Sequence, residues 1–158
     1  MGPGIEVRKA TAADIGALVG LMTEFYAEAG YGLDESWARS VFATLFENED
    51  RGCAWLVQDQ DAPIGHAVMT VRFTMEHGGL SGYIDDLFVR PGYRGRGAAG
   101  RVLRELEKEC AERGCRALIV EVGRDNHAAL RTYARLGMEH VEDGRILYRK
   151  LLPAGKSA

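Results

Sequence analysis

Apolar residues recur at helical spacing in four segments of the chain, which predicts four amphipathic helices. Thr11 and Asp14 form a start like a capping box for the first helix, and Asp34 can cap the second. The third helix runs from about Gly97 to a stop at Gly114, and the fourth covers 126–136. The apolar positions that we expect to face the core are Ile15, Leu18, Val19, Met22 and Phe25, then Trp37, Val41, Phe42 and Leu45, then Ala99, Val102, Leu103, Leu106 and Cys110.

Shorter apolar segments between these helices are typical of strands and cover 5–8, 53–58, 64–75, 83–89 and 117–122. After the fourth helix, 139–142 and 145–151 flank an Asp143-Gly144 turn, which predicts a terminal hairpin. The order predicts one α/β (α+β) domain over 1–158. We expect a mixed, mostly antiparallel sheet of about six to seven strands, with helices on both faces. The core is predicted over about 5–151, and 153–158 is expected to fray.

The composition is that of an ordinary globular protein, with 46% hydrophobic and 27% charged residues. A net charge of −3 argues against a nucleic-acid partner, and no apolar run is long enough to span a bilayer. The three cysteines, Cys53, Cys110 and Cys115, form no CxxC motif and cannot all pair. We therefore expect a cytoplasmic protein in a reducing compartment that does not associate with membranes.

A basic, glycine-rich loop connects the strand at 83–89 to the third helix. The start of a helix has unpaired N–H groups and the positive end of the helix dipole, and both attract anions. Glycines at Gly95 and Gly97 allow a ligand to approach the backbone closely. Arg94 and Arg96 add charges whose geometry suits phosphate oxygens. The sequence therefore predicts a site for a phosphorylated ligand at this loop.

The same loop also matches the GxGxxG spacing of dinucleotide sites, and Glu121 follows at about the distance of a ribose-binding acid. Three features oppose a dinucleotide fold. Residues 90–94 separate the strand from the first glycine, the motif lies behind two helices and several strands, and too little chain follows for a doubly wound sheet. No Lys-Ser or Lys-Thr follows the last glycine, which excludes a Walker loop.

Two segments in this order resemble the GNAT superfamily of N-acetyltransferases. Arg94-x-x-Gly97-x-Ala99 resembles the family signature (Gln/Arg)-x-x-Gly-x-(Gly/Ala). Residues 120–138 resemble the family's strand–Asn–helix–Tyr–Gly-aromatic segment, with Met138 where the family usually has Phe. The resemblance covers about 5–151. It implies a sheet that splays between its fourth and fifth strands, acetyl-CoA as co-substrate, and no metal.

The resemblance also implies where the coenzyme lies. The pyrophosphate would be held by the loop residues Arg94, Gly95, Arg96, Gly97, Ala98, Ala99 and Gly100. The pantetheine arm would pair like an added strand with the edge formed by Leu87, Phe88 and Val89. Asn126, Ala129 and Tyr133 would line the other side of the slot for the thioester.

Acetyl transfer to an amine needs a base for the ammonium proton and an acid for the departing thiolate. Tyr133, two turns after Asn126 on the same helix face, is the predicted acid. Asp85 resembles the acid that contacts the amine in polyamine acetyltransferases, and Glu121 resembles a glutamate base of ribosomal-protein N-terminal acetyltransferases. The sequence does not choose between these two acids, and a structural role for either stays open.

Other nucleophiles and bases are disfavoured. The cysteines lie outside the matched motifs, so we expect direct attack by the amine and no cysteine intermediate. The histidines His66, His77, His127 and His140 have no recognisable triad spacing and are predicted at the surface or in polar slots.

Acidic residues near the slot, namely Asp85, Asp86 and Glu76, suggest a small cationic amine as the acceptor. Strict alternation along the strand predicts Asp85 and Asp86 on opposite faces. An N-terminal or lysine protein acetyltransferase and a non-catalytic acyl-CoA-binding sensor are the alternatives. The oligomeric state is not readable from the sequence. Relatives often pair through terminal strands, so a homodimer stays open.

Overall fold

In residues 4–153, which the computed structural model describes, five strands form one sheet in chain order. The strands are β1 (Ile5–Lys9), β2 (Gly52–Asp59), β3 (Ala62–Thr74), β4 (Gly79–Val89) and β5 (Ala117–Val120). Neighbours are antiparallel from β1 to β4, whereas β4 and β5 are parallel. All but the first residue of the predicted frayed tail lies outside the described residues.

Four α-helices connect these strands over the same residues: α1 (Ile15–Glu28), α2 (Glu35–Phe46), α3 (Ala98–Arg113) and α4 (His127–Arg135). Short 3₁₀ turns cover Ala12–Asp14, Glu49–Arg51 and Pro91–Tyr93. Within residues 4–153, none of the helices combines the length and the apolar character that crossing a membrane requires.

Capping residues set the helix boundaries, as the sequence predicted. Asp14 Oδ2 accepts from the Thr11 backbone N–H at 2.8 Å, completing a capping box before α1. Asp34 Oδ1 accepts from the Trp37 N–H at 2.8 Å at the start of α2. Gly114, with φ of 74°, ends α3 in the left-handed conformation. These predicted boundaries are confirmed.

Helices cover both faces of the sheet, as predicted. One buried cluster, under α1 and α2, includes Leu18, Leu21, Phe42, Leu56 and Phe88. The other, under α3, includes Val57, Met69, Ile84, Val102 and Leu106. Burying a side chain of this size contributes about 1.5–3 kcal/mol each to folding. The sheet therefore separates two apolar layers, and its two faces can hold different ligands.

The predicted core stripe of α2 is partly wrong. Trp37 is 53% exposed and Val41 is 41% exposed, while Ala38 and Phe42 are buried. The small Ala38 side chain lets the helix pack closely through the Ala38–Phe42 face. Trp37 and Val41 lie at the edge of the apolar layer under α1 and α2, where they line a cavity beside the sheet.

The predicted terminal hairpin is absent, so the sheet has five strands over the described residues and not six or seven. The turn itself is present, because Gly144 has φ of 71° and the Arg145 N–H donates to Asp143 Oδ1 at 3.0 Å. The flanking segments have no regular structure, and Ile146 and Tyr148 are 75% and 87% exposed. A two-stranded hairpin is marginal in water unless its apolar face is covered, and over residues 4–153 the apolar side chains beside this turn stay exposed.

A β-bulge at Asp85 changes the pattern of β4. Asp86 pairs with Val68 across the sheet and Ile84 pairs with Met69, so Asp85 is an extra residue. An inserted residue shifts the alternation of faces by one position. As a result Asp85 and Asp86 line the same cavity, and their predicted placement on opposite faces is wrong.

Candidate active site

β4 and β5 pair along a short stretch and then separate. Ser81–Ile84 pairs with Ala117–Val120, where β5 ends. Beyond Ile84, β4 continues to Val89 and, among residues 4–153, pairs there with β3 alone. The predicted splay is present, and it begins at the bulged Asp85.

The separated part of β4 has an open edge. The Arg90 N–H donates to Ile64 O on the β3 side at 2.8 Å. Backbone groups alternate between the two sides of an antiparallel strand, so Phe88 also faces β3, whereas Leu87 and Val89 face the open edge. The placement of Phe88 on that edge is therefore corrected, because its backbone faces β3 and its ring is buried under α1. Leu87 and the Val89 N–H offer groups that an added strand or a pantetheine amide would pair with, whereas Val89 O already accepts from Arg94 Nε at 2.7 Å.

The loop after β4 leads to an uncapped helix. Gly95 and Gly97 have φ of 77° and 82°, in the left-handed region that favours glycine, and Gly97 is the N-cap of α3. As a glycine, this N-cap has no side chain that could bond to the first turn of the helix. The first N–H groups of α3, at Ala98, Ala99 and Gly100, are therefore available to an anion.

The two arginines of the loop have different surroundings. Arg94 donates from Nε to Val89 O at 2.7 Å and from Nη2 to the Glu28 carboxylate at 2.7 and 2.9 Å. The Glu28 carboxylate at the end of α1 balances the charge of Arg94. The hydrogen bond to Val89 O connects the loop to the end of β4. Arg96 is exposed, with its guanidinium 5.3 Å from the centre of the Tyr93 ring. Within residues 4–153 it forms no ion pair, so its charge is free for a ligand.

Residues of α4 lie beside the first turn of α3. Asn126 caps α4, with Oδ1 accepting from the Ala129 N–H at 3.2 Å. A Cβ on Gly100 would lie 3.3 Å from Leu136 Cδ2, so glycine permits this close approach of the helices. Tyr133 is half-buried against the α3 cluster, and burial raises the pKa of its phenol. The phenol therefore stays protonated over a wider pH range and can serve as a proton donor.

A cavity of about 280 Å³ opens between α1, α2 and β4. Its lining is formed by Met22, Tyr26, Trp37, Val41, Phe42, Leu45, Val68, Asp85 and Asp86. Carboxylates set among aromatic and apolar side chains are suited to binding a cationic amine. The sequence missed Tyr26 as a site residue and assigned Trp37 to the core, because an aromatic residue at helical spacing signals packing first.

Several neighbours shift the pKa of the candidate base Asp85 near the start of the splay. Desolvation raises the pKa of Asp85, and the charges of Asp86 and Glu121 raise it further, against a hydrogen bond with Thr70 that lowers it. The pKa of Tyr83 is raised to about 12 by burial, by a hydrogen bond with Glu121 and by Asp85. The structure therefore brings Asp85 and Glu121 into one electrostatic environment beside Tyr83.

His66 adjoins the cavity from β3. It is fully buried, and its Nε2 lies 3.2 Å from Asp86 Oδ2. The rings of Phe25 and Phe88 lie 6.1 and 6.2 Å from the imidazole. The surface position that was predicted as one alternative for His66 is wrong, whereas the polar slot is present as a buried site whose polar group is the Asp86 carboxylate. The sequence around His66 does not predict this contact, because Asp86 lies 20 residues further along the chain.

Two further predicted groups do not line the cavity. Glu76 lies 3.3 Å from Arg145 in an ion pair and is absent from the cavity wall.

Cys53 and Cys110 are buried, and burial raises the pKa of both thiols, that of Cys110 to about 12. Protonated thiols are poor nucleophiles, which fits the expectation of direct attack by the amine.

Comparison with known proteins identifies the family of this chain. The sequence profile described as the acetyltransferase (GNAT) family matches residues 18–138. This chain belongs to the GNAT family. Membership confirms the resemblance seen in the sequence, the α/β fold class and the prediction of an acetyl-CoA-dependent N-acetyltransferase.

Solved structures match nearly the whole chain. An integron cassette protein from the mobile metagenome of Cole Harbour Salt Marsh has a TM-score of 0.82 at 39% identity, over 94% of this GNAT chain and 91% of that one. The aminoglycoside N-acetyltransferase AAC(6′)-Iy in complex with CoA has a TM-score of 0.83 at 20% identity, over 95% and 97%. The aminoglycoside acetyltransferase meta-AAC0020, from an uncultured soil metagenomic sample and in complex with trehalose, has a TM-score of 0.78 at 16% identity, over 93% and 96%. The last two likenesses concern the fold.

Proposed function

We propose that this GNAT protein transfers an acetyl group from acetyl-CoA to the primary amine of a small cationic acceptor by direct attack. The observation that carries the proposal is the cavity at the splay of β4 and β5, whose wall includes Asp85 and Asp86. It lies on the α1 and α2 face of the sheet, whereas the start of α3 lies on the other. Acceptor and donor would therefore approach the splay from opposite faces.

The donor side fits acetyl-CoA in three respects. The uncapped start of α3 offers N–H groups to the diphosphate, and Arg96 offers an uncompensated charge. Leu87 and Val89 offer an open backbone edge to the pantetheine amides. Arg94 would contribute by keeping the loop fixed to Val89 O and by its charge.

The chemistry needs a proton acceptor and a proton donor. Asp85 or Glu121 would take the ammonium proton, directly or through water, and the free amine would then attack the thioester carbonyl. The C–N bond forms, the C–S bond breaks, and the new amide nitrogen releases its excess proton to water. Tyr133 would supply a proton to the departing thiolate and recover one from water. A phenol whose pKa is raised by burial is protonated at neutral pH and suits this role.

The class of acceptor is proposed from charge and from the structural neighbours. Two of the structural neighbours are aminoglycoside acetyltransferases, and aminoglycosides are polycationic amines. An aminoglycoside, a polyamine or a lysine-type compound would each bring a cation to Asp85 and Asp86. A protein N-terminus or lysine is the alternative acceptor, and an acyl-CoA sensor would bind the donor without turnover.

The experiment is a thiol-release assay with acetyl-CoA and four acceptors: a polyamine, an aminoglycoside, a lysine analogue and a peptide with a free N-terminus. We expect turnover with the small cationic amines and little with the peptide. Turnover with the peptide alone would favour the protein acetyltransferase. Tight CoA binding without thiol release from any amine would favour the sensor.

We also propose that the chain forms a homodimer through its terminal segment. Val141, Ile146, Leu147 and Tyr148 are all strongly exposed on either side of the Asp143-Gly144 turn, and the outer edge of β5 has no strand partner among residues 4–153. A second copy could cover both. Sedimentation of the wild type and of the double variant Ile146→Ser, Tyr148→Ser tests this. A dimer that dissociates in the variant is expected, and a monomeric wild type would contradict it.

A reducing, cytoplasmic location is proposed from the three free thiols of Cys53, Cys110 and Cys115. Fractionation of expressing cells tests it. Recovery of the protein outside the cytoplasm would contradict it.

A further inference from the structure

Asp86 is a buried carboxylate with a single hydrogen-bond partner among the residues described. It is 9% exposed, and its Oδ2 lies 3.2 Å from His66 Nε2. Within residues 4–153 its other oxygen, Oδ1, accepts no hydrogen bond, and Asp86 lines the cavity. A carboxylate in such a position costs free energy unless a donor or a cation completes its pairing.

His66 supplies one hydrogen bond and fixes the carboxylate. Its Nδ1 is buried without a partner among the described residues, while Nε2 is next to Asp86. A neutral imidazole with its proton on Nε2 donates to the carboxylate and leaves only a lone pair unpaired at Nδ1. The surrounding rings of Phe25 and Phe88 restrict the imidazole. His66 therefore orients Asp86 through this contact.

Among residues 4–153, the wall of the cavity contains no lysine or arginine. Over residues 4–153 neither Asp85 nor Asp86 forms an ion pair with a lysine or arginine. The phenol of Tyr26 lies close enough to both carboxylates that, after burial, they raise its pKa. Two neighbouring carboxylates beside Tyr26 and Trp37 leave a place for a ligand cation in a partly apolar setting.

The two carboxylates have different environments. Asp85 is exposed at the splay and is influenced by Glu121 from the β5 side. Asp86 is buried deeper, toward His66. The acid at the splay is thus placed for the reacting amine, and the buried one is available for another group of the acceptor.

We propose that Asp86, oriented by His66, binds a second cationic group of the acceptor, so that the preferred acceptors carry at least two cationic nitrogens. Asp86 is then a specificity-determining residue, and His66 is a positioning residue that acts through it. The inference rests on the proposed function, since it concerns the acceptor side of the same site.

The test is calorimetric binding of 1,5-diaminopentane and pentylamine to the CoA-loaded protein, which requires no turnover. We expect the wild type to bind the diamine at least about tenfold more tightly than the monoamine of equal length, because the second ammonium pairs with a partly desolvated carboxylate. Asp86→Asn should remove this preference. Asp61→Asn makes the same change in the exposed β2–β3 turn and should keep it. Equal affinity of the wild type for both amines would overturn the proposal.

The role of His66 is tested with two variants. His66→Leu removes the hydrogen bond and should reduce the preference for the diamine about as much as Asp86→Asn, while CoA affinity is unchanged. His66→Gln keeps an N–H donor near Nε2 and should restore most of it. The double variant His66→Leu, Asp86→Asn should lose no more preference than Asp86→Asn alone, and additive losses would contradict a role through Asp86. Thermal melting verifies folding, and should His66→Leu fail to fold, His66→Gln and Asp86→Asn decide the matter.

Thiol release with the same two amines separates this inference from the proposed function. Turnover without a preference for the diamine contradicts the role of Asp86 and leaves the acetyltransferase intact. Selective diamine binding without any thiol release supports the cation site and contradicts the transfer reaction.

Discussion

Arg94 and Glu28 form a two-point contact, with Arg94 Nη2 at 2.7 and 2.9 Å from the two carboxylate oxygens of Glu28. The contact joins the loop after β4 to the last residue of α1. One turn earlier on α1, Glu24 makes a similar pair with Arg90 at 2.9 Å. α1 also carries Met22 and Tyr26, which line the cavity. The glycine-rich loop and the cavity wall therefore contact the same helix.

A substitution at Glu28 should therefore strengthen coenzyme binding. Glu28→Gln removes a negative charge from the neighbourhood of the diphosphate and frees Arg94 for it, so we expect roughly twofold to fivefold tighter CoA binding, in keeping with the small worth of an exposed ion pair. Arg94→Ala should weaken binding about tenfold, since it also releases Val89 O. Calorimetry at low and high salt measures both. Glu24→Gln is the matched control and should stay near wild type, while unchanged affinity in Arg94→Ala would contradict the assignment.

Two glycines with equivalent conformations allow the loop to be tested without confusing strain with binding. Gly95 and Gly78 have φ of 77° and 68°, and a Cβ on either would meet no atom within 4 Å. Alanine at each position should cost about 1–2 kcal/mol of folding free energy, because L-residues disfavour this region. Only Gly95→Ala should also weaken CoA binding, since its Cβ enters the space of the diphosphate. Equal CoA affinity in the two variants would place the phosphates elsewhere.

Removing the hydroxyl of Tyr133 should affect chemistry and leave binding unchanged. We expect Tyr133→Phe to lower kcat about 100-fold, the lower end of what a general acid contributes, with CoA affinity close to wild type. Steady-state kinetics and calorimetry on the same preparation measure the two effects. Tyr148→Phe removes a hydroxyl from an exposed tyrosine and should change neither. Full turnover in Tyr133→Phe would exclude the acid role.

The pH profile of kcat/KM can distinguish the two candidate bases. If Asp85 is the base, it must be ionised, so the rate rises with pH through its raised pKa. Glu121→Gln removes a negative charge that raises this pKa, and the acid limb should move to lower pH with activity kept. Asp85→Asn should lower kcat/KM about 100-fold or more and abolish the limb.

The reverse pattern would identify Glu121, since Glu121→Gln would then abolish the limb and Asp85→Asn would keep it. A limb that stays at the same pH in both variants would come from the acceptor amine itself and would exclude both carboxylates.

Features encoded within a few residues could be predicted from the sequence. The caps at Asp14 and Asp34, the stop at Gly114 and the glycine N-cap of α3 each depend on neighbours in the chain. The bulge at Asp85 could not be predicted, because it is a property of pairing with β3 and the strand itself carries no sign of it. The bulge shifts the alternation of side chains by one position, so Asp85 and Asp86 line the same cavity.

Long-range contacts account for the other misses. His66 meets Asp86 only through the register of β3 and β4, and no spacing rule connects them. Trp37 has the helical spacing of a core residue, but the position of α2 on the sheet leaves it exposed. The terminal hairpin has strand-like sequence on both sides of its turn, but a strand needs a partner, and among residues 4–153 no strand pairs with either side.

A crystal structure of the protein with CoA tests the central claim most directly. We predict the diphosphate on the N–H groups at the start of α3 beside Arg96, the pantetheine arm along Leu87 and Val89, and the sulfur within reach of the Tyr133 hydroxyl. The protein offers an alternative, because a larger cavity of about 450 Å³ lies between β1 and α3 and is lined by Arg101 and Arg104. Coenzyme bound in that groove, with the splay of β4 and β5 empty, would contradict the account.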